Sequence, residues 1–117
     1  MEEQKKSVLP SGELGNVAKV LPHFFVIANG TDAEALALLK NISSPVFRAA
    51  SFMAHQMENP KKDTTMDLLL SDERHDKRAS KFRKMAAEQK GGDLLGTMKD
   101  IGSFALKLAP AILPLLL

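Results

Sequence analysis

The side chains with the greatest capacity for acid–base or metal chemistry are three histidines, His23, His55 and His75. A helical metal site needs a second ligand three or four residues away, and no histidine has another at that spacing. Asp76 follows His75 directly, but neighbouring residues of a helix point about 100° apart and cannot form an orienting pair. The chain has no cysteine, which excludes thiol catalysis and Cys-based zinc sites. We therefore expect a protein that is not an enzyme and holds no metal or cofactor, and no small-molecule substrate is evident.

A second chemical pattern is a row of cations in residues 66–90. On a helical wheel, five basic side chains fall within about 120° of one another. They are Arg74, Lys77, Arg78, Lys81 and Lys84. Such a row predicts contact with an anionic surface, either lipid headgroups or a nucleic-acid backbone. Glu73 and Glu88 each lie four residues from one of these lysines, and no aromatic residues alternate with the cations, so nucleic acid is the weaker alternative.

The strongest pattern is the apolar side of residues 93–109. Its apolar side chains cover an arc of roughly 200° and leave a narrow polar arc that includes Lys99 and Lys107. This width is typical of amphipathic peptides that lie in a membrane interface. The residues predicted to contact a membrane or a protein partner are Leu94, Leu95, Met98, Ile101, Phe104, Leu108, Ile112 and Leu113.

The apolar tail at 110–117 is too short to cross a membrane. A spanning helix needs about 20 apolar residues, whereas the uncharged run here extends only from residue 108 to 117. Pro110 and Pro114 also remove helical hydrogen bonds, so we expect an irregular tail. The alternatives are that the helix and tail pack on residues 14–57 of the same chain, in a homo-oligomer, or in a groove of another protein.

Composition sets the limits of the fold. The chain has 117 residues, of which 44% are hydrophobic and 26% charged, and its net charge is +2. This is one modest globular domain. The N-terminus lacks the apolar region of a secretory signal, so we expect a cytoplasmic or peripheral membrane location rather than classical secretion.

The N-terminal half predicts a helical cluster. Residues 1–10 form a polar, flexible lead-in, and apolar residues recur at helical spacing from Ser11 within the cluster at 11–60. Pro22 either kinks one helix or starts a second, and residues 24–28 suit a helix or a short buried strand. Thr31 and Glu34 match a capping box. Ser44 followed by Pro45 predicts another helix start, with Ser44 as the N-cap and Pro45 as the first helical residue.

The C-terminal half predicts a long basic helix within 61–90, capped by Asp63, Thr64 or Thr65. Gly91-Gly92 breaks it and forms a hinge before the amphipathic helix and tail at 91–117. The fold class is therefore all-α, a small helical bundle of four to five helices in a single domain.

These patterns favour a small non-enzymatic protein that associates with or perturbs membranes through its C-terminal amphipathic segment. Viral internal or accessory proteins use this arrangement and are one candidate class. The first alternative is a helical structural or adaptor subunit whose C-terminal helix docks in an oligomer or a partner protein. The second is a nucleic-acid binder that uses the basic helix.

Overall fold

The computed structural model describes residues 11–88 and 93–116. Every regular element within these residues is helical, which confirms the all-α class. The helices are α1 (Ser11–Lys19), α2 (Leu21–Asn29), α3 (Asp32–Lys40), α4 (Ser44–Gln56), α5 (Thr64–Leu70), α6 (His75–Glu88) and α7 (Leu94–Ile112), and a 3₁₀ turn follows at Leu113–Leu116. Seven α-helices in the described part of the chain replace the four to five predicted. The predicted lead-in at 1–10 and the Gly91-Gly92 hinge lie outside the described residues.

Pro22 starts a second helix and does not kink the first. It lies in the first turn of α2, where a backbone N–H has no helical acceptor and its loss costs little. Residues 24–28, open between helix and strand in the sequence, are helical. α2 buries Leu21, Phe24 and Ile27, whose spacing places them on one helix face.

Side-chain caps define the starts of the next two helices. The capping box is confirmed: the Glu34 N–H donates to the Thr31 hydroxyl (3.1 Å), and the Thr31 N–H donates to the Glu34 carboxylate (2.8 Å). The predicted cap at Ser44 is wrong by one residue, because the Ser43 hydroxyl accepts the Val46 N–H at 3.4 Å. Ser44 and Pro45 then occupy the first two helical positions, neither of which needs an N–H partner within the helix.

The long basic helix predicted within 61–90 is two helices, α5 and α6. Asp63 caps α5, one of the three predicted candidates. The break falls at residues 71–74 without glycine or proline, because side chains satisfy the backbone there. The Ser71 hydroxyl accepts the Glu73 N–H (3.1 Å), and the Arg78 guanidinium donates to the carbonyls of Leu68 and Leu69 at the end of α5.

α7 is longer than the amphipathic segment predicted at 93–109. Asp93 caps it, and the helix continues through Pro110 to Ile112. A proline removes one helical hydrogen bond, but the pattern resumes at once, since the Leu113 N–H donates to the Ala109 carbonyl. The predicted irregular tail is therefore helical up to Leu116, first as α-helix and then as the 3₁₀ turn.

α7 is a central element of the core. It packs along α2 and also contacts α1, α3, α4 and α5, whereas α6 packs on α3, α4 and α5. At the α2–α7 contact the backbones come close together, because a Cβ on Gly102 would lie 2.9 Å from the Phe24 carbonyl oxygen. Elsewhere in the core, the rings of Phe47 and Phe82 meet edge to face with centroids 5.6 Å apart.

Candidate functional site

Most of the apolar residues predicted to contact a membrane or partner are covered by the chain itself. Four are buried and three are half-buried; the buried set is Leu94, Met98, Ile101 and Ile112, and the half-buried set is Leu95, Phe104 and Leu108. Leu113, in the 3₁₀ turn, is 46% exposed. In this fold, α7 therefore lacks the broad free apolar face that the sequence pattern predicts.

Phe25 is the large apolar side chain that sequence reasoning missed. It lies on α2 and is 58% exposed, and it and Leu113 are the exposed large hydrophobic residues among the side chains that the structure describes. The helical wheel did not indicate its exposure, because Phe25 lies four residues after the buried Leu21 and only about 40° from it.

The packing of α2 on α7 places Phe25 beside the second half of α7. Gly102 lies against Phe24 and Ala28, and the Lys99 ammonium pairs with Asp32, 2.6 Å away, so the two helices run antiparallel. Phe25 is exposed in the stretch of α2 from Phe24 to Ala28 that packs against Gly102. Leu106 is half-buried on α7, and Leu113 is exposed in the 3₁₀ turn that follows it. We call Phe25, Ala28, Leu106, Ala109 and Leu113 the α2–α7 seam.

The residues of the seam belong to two stretches of the chain that carry no carboxylate side chain. Residues 14–31 contain no Asp or Glu, and neither do residues 101–116. The charged side chains of these stretches are Lys19 and Lys107, and both are exposed. Asp32, at the end of the seam, has a carboxylate, but it pairs with Lys99. The side chains of these two stretches therefore carry a net positive charge.

The predicted row of five cations on α6 contains four exposed side chains. Arg74, Lys77, Lys81 and Lys84 are exposed, but Arg78 is only 3% exposed and points into the protein. Arg74 pairs with Asp76 (2.8 Å) and Lys81 with Glu73 (2.8 Å). Hydrogen bonds from these cations lower the pKa of the Asp76 and Glu73 carboxyls. Two of the four exposed cations are thus already paired.

The basic face of α6 and the α2–α7 seam belong to different helices. α6 packs on α3, α4 and α5, whereas α2 and α7 pack on each other and on α1.

Two of the three histidines line one pocket although they are far apart in the sequence. His23 is exposed on α2, whereas His55 of α4 and His75 of α6 line the same pocket. Burial, followed by the charges of Arg78 and Arg48, lowers the pKa of His75. Residues 11–88 and 93–116 hold no group of three His, Asp or Glu side chains placed to bind a metal ion.

None of the described helices combines the length and apolar character needed to cross a membrane. Comparison of the chain with protein-family models, curated proteins and solved structures finds no match.

Proposed function

We propose that this protein is a non-enzymatic helical protein that binds an anionic membrane surface reversibly through the α2–α7 seam. The observation that carries the proposal is the exposure of Phe25 and Leu113, which belong to two stretches whose charged side chains are Lys19 and Lys107. An apolar side chain that enters the interface loses contact with water, while nearby lysines meet anionic headgroups. The proposal keeps the predicted function class but moves the contact from the buried face of α7 to the seam.

The charge distribution favours a lipid surface over a second copy of the chain. A symmetric dimer through the seam would bring Lys19 and Lys107 of both copies together, with few carboxylates to neutralise them. An anionic bilayer supplies the missing negative charge and accepts isolated apolar side chains without a matching shape. A partner protein would have to supply an acidic groove instead.

The expected affinity for membranes is modest. Burying the exposed halves of Phe25 and Leu113 is worth about 1 kcal/mol each, and two lysines close to anionic lipid add about 1 kcal/mol each. A total of about 4 kcal/mol corresponds to a Kd of about 1 mM. Such a contact is peripheral and reversible, and it leaves α7 packed in the core.

Insertion of α7 itself, the arrangement expected from the sequence, requires a larger change. Met98 and Ile101 are fully buried, and the release of α7 would expose Phe24 and Ile27 of α2 to water. Full burial of each such side chain is worth about 1.5–3 kcal/mol. Contact through the seam avoids this cost, which is why the folded protein favours it.

The test is co-sedimentation with phosphatidylcholine vesicles with and without phosphatidylserine. Deletion of residues 93–117 is unsuitable because it removes part of the core. A matched pair of variants changes the charge equally on different faces: Lys19→Gln with Lys107→Gln beside the seam, and Lys77→Gln with Lys84→Gln on α6. We expect only the first pair to weaken binding to anionic vesicles, and Phe25→Ser to weaken it further.

Three outcomes would overturn the proposal. If the α6 pair alone weakens sedimentation, the membrane contact lies on the basic helix. If the intact chain does not bind anionic vesicles but forms oligomers that Phe25→Ser dissociates, the seam is a protein interface and the structural or adaptor alternative applies. If the intact chain does not bind vesicles but binds nucleic acid, and Lys77→Gln with Lys84→Gln abolishes that binding, the nucleic-acid alternative applies.

A further inference from the structure

A pocket of about 280 Å³ lies between α4, the loop at 71–74 and the first turns of α6. α4 contributes four residues on one face, Arg48, Ser51, Phe52 and His55. Its other lining residues are Glu13, Ser71, Asp72, Glu73, His75 and Arg78. Two guanidinium groups, two imidazoles and two hydroxyls therefore face or border one small space. All of the residues that line the pocket, except Glu13, come from residues 48–78.

The Arg78 guanidinium is a buried cation that forms no close ion pair among the described residues, although the negative charges of Glu73 and Asp72 favour its charged form. Its Nη1 donates to the Ser51 hydroxyl (3.1 Å) and to the carbonyls of Leu68 (3.3 Å) and Leu69 (2.9 Å). The guanidinium also lies 5.3 Å from the ring centroid of Phe47. Its Nε is buried and has no hydrogen-bond partner, and Arg78 forms no ion pair with the carboxylates of the described residues.

A buried charge normally has a counter-ion, because transfer of an unpaired charge out of water is costly. The carbonyls at the end of α5 and the ring of Phe47 offset part of this cost with partial charges. Arg48, at the same pocket, is held by Glu13 only at 3.5 Å. The pocket is thus bordered by one buried cation, by one exposed cation with a long ion pair, and by the carboxylates of Glu13, Asp72 and Glu73.

We propose that this pocket binds a phosphate group, either as inorganic phosphate or as a phosphomonoester. Arg48 donates to the phosphate oxygens at the open side, and Arg78 supplies a fixed positive charge behind Ser51. Guanidinium groups suit this role because their donors match the geometry of phosphate oxygens. The inference is independent of the membrane proposal, since the pocket is not part of the α2–α7 seam.

His55 and His75 complete the positive wall when they are protonated. The Nδ1 of His55 lies 2.9 Å from the Ser51 carbonyl oxygen, which can only accept, so Nδ1 carries a proton. The Nε2 of His55 therefore becomes a donor when the ring takes up a second proton. A phosphate dianion beside both rings attracts the protonated form of each ring.

The carboxylates at the pocket oppose anion binding and supply a test of it. Glu73 is paired with Lys81, and Glu13 with Arg48. Asp72 is exposed beside the pocket, in the loop that lines it. Because its charge repels phosphate, Asp72→Asn should tighten binding by about two- to fivefold, whereas Arg48→Gln should weaken it by at least that factor. Both positions are exposed, so neither change is expected to unfold the chain.

The experiment follows the three histidine C2 protons by NMR as phosphate replaces chloride at constant pH and ionic strength. The chain has three histidines and no Tyr or Trp, so these resonances are easily resolved and can be assigned with His→Gln variants. We expect phosphate to shift the resonances of His55 and His75, which line the pocket, and to leave that of His23 on α2 unchanged. Glycerol phosphate in a parallel titration separates a phosphomonoester site from one for the free ion.

The three histidines make the result decisive. Unchanged resonances of His55 and His75, or an equal change at His23, would overturn the proposal. So would a phosphate response that is the same in Arg48→Gln, Asp72→Asn and the natural chain. Vesicle binding that persists when phosphate binding is lost leaves the proposed membrane function intact, so the two proposals fail separately.

Discussion

Gly102 of α7 lies directly against the carbonyl oxygen of Phe24 in α2, and a Cβ at this position would approach that oxygen to 2.9 Å. The atom opposite is backbone, so it cannot rotate away as a side chain would. This contact fixes how closely the two helices approach, and with it the position of Phe25 at the edge of the α2–α7 seam.

Replacement of Gly102 by Ala should therefore destabilise the fold. We expect a loss of about 1–3 kcal/mol in the free energy of unfolding because α7 must move away from α2. Gly15→Ala is the control: a Cβ added at Gly15 would have nothing within 4 Å, and helix propensity should raise stability by up to about 1 kcal/mol. Urea denaturation of both variants measures the difference. Equal changes in the free energy of unfolding for Gly102→Ala and Gly15→Ala would show that the close α2–α7 contact accommodates a methyl group without strain.

Arg78 should contribute more to stability than the other cations of the basic row. Arg78→Ala leaves the Leu68 and Leu69 carbonyls without their charged donor, and we expect a loss of about 2–4 kcal/mol. Lys77→Ala, on the exposed side of the same helix, should change stability by less than about 0.5 kcal/mol. Thermal unfolding distinguishes them, and similar losses would contradict the role of Arg78 at the end of α5.

The two neighbouring serines before α4 should differ in their effect on stability. Ser43→Ala removes the hydroxyl that accepts the Val46 N–H and should cost about 1 kcal/mol. Ser44→Ala changes the first helical position, where alanine is well tolerated, and should have little effect. A larger loss at Ser44 in chemical denaturation would return the cap to the position predicted from the sequence.

Acid should weaken the attachment of α7 to the loop before α5. Lys61 donates to the Asp93 carboxylate (3.0 Å) and lies 3.7 Å from that of Asp100. The hydrogen bond from Lys61, and then that from the Gly96 N–H, lowers the pKa of Asp93. The stabilisation by Asp93 is therefore present above its unfolded pKa of about 3.9 and is lost as the pH falls through the lower folded value.

The same ion pair raises the pKa of Lys61, chiefly through the hydrogen bond to Asp93. Its stabilisation is present below the unfolded pKa of about 10.4 and is lost as the pH rises through the folded value. The measurement is the unfolding midpoint against pH for the natural chain and Asp93→Asn, which keeps an N-cap. We expect a smaller decrease below about pH 4 in the variant, and a smaller difference between the two at high salt. If the midpoints of the natural chain and of Asp93→Asn change with pH in the same way, the stabilising role of the Lys61–Asp93 ion pair is contradicted.

A tryptophan at position 25 should report membrane contact directly. The chain has no Trp or Tyr, so Phe25→Trp introduces a single strong fluorophore on the seam. We expect its emission to shift to shorter wavelength with phosphatidylserine vesicles and to stay unchanged with phosphatidylcholine alone. Lys84→Trp, on the exposed side of α6, is the control and should not respond. A shift at position 84 alone would place the membrane contact on α6.

Local features of the sequence were sufficient to predict the helical class and several helix ends. Thr31 and Glu34 lie within one turn of each other, so the capping box depends only on neighbouring residues. Asp63 as a cap follows from equally local chemistry. The apolar face of α7 was also correctly located, because helical periodicity is a property of consecutive residues.

Tertiary contacts decided what covers that face and where the basic row ends. Periodicity shows that Met98 and Ile101 share a side of α7, but only the packing of α7 against α2 shows that the chain buries them itself. Arg78 has the helical spacing of a surface cation, yet it binds the carbonyls at the end of α5, nine and ten residues earlier. His55 and His75 lie twenty residues apart and line one pocket only because α4 and α6 pack together. Burial and charge pairing depend on residues distant in the chain, and so the α2–α7 seam and the pocket between α4 and α6 appeared only in the folded structure.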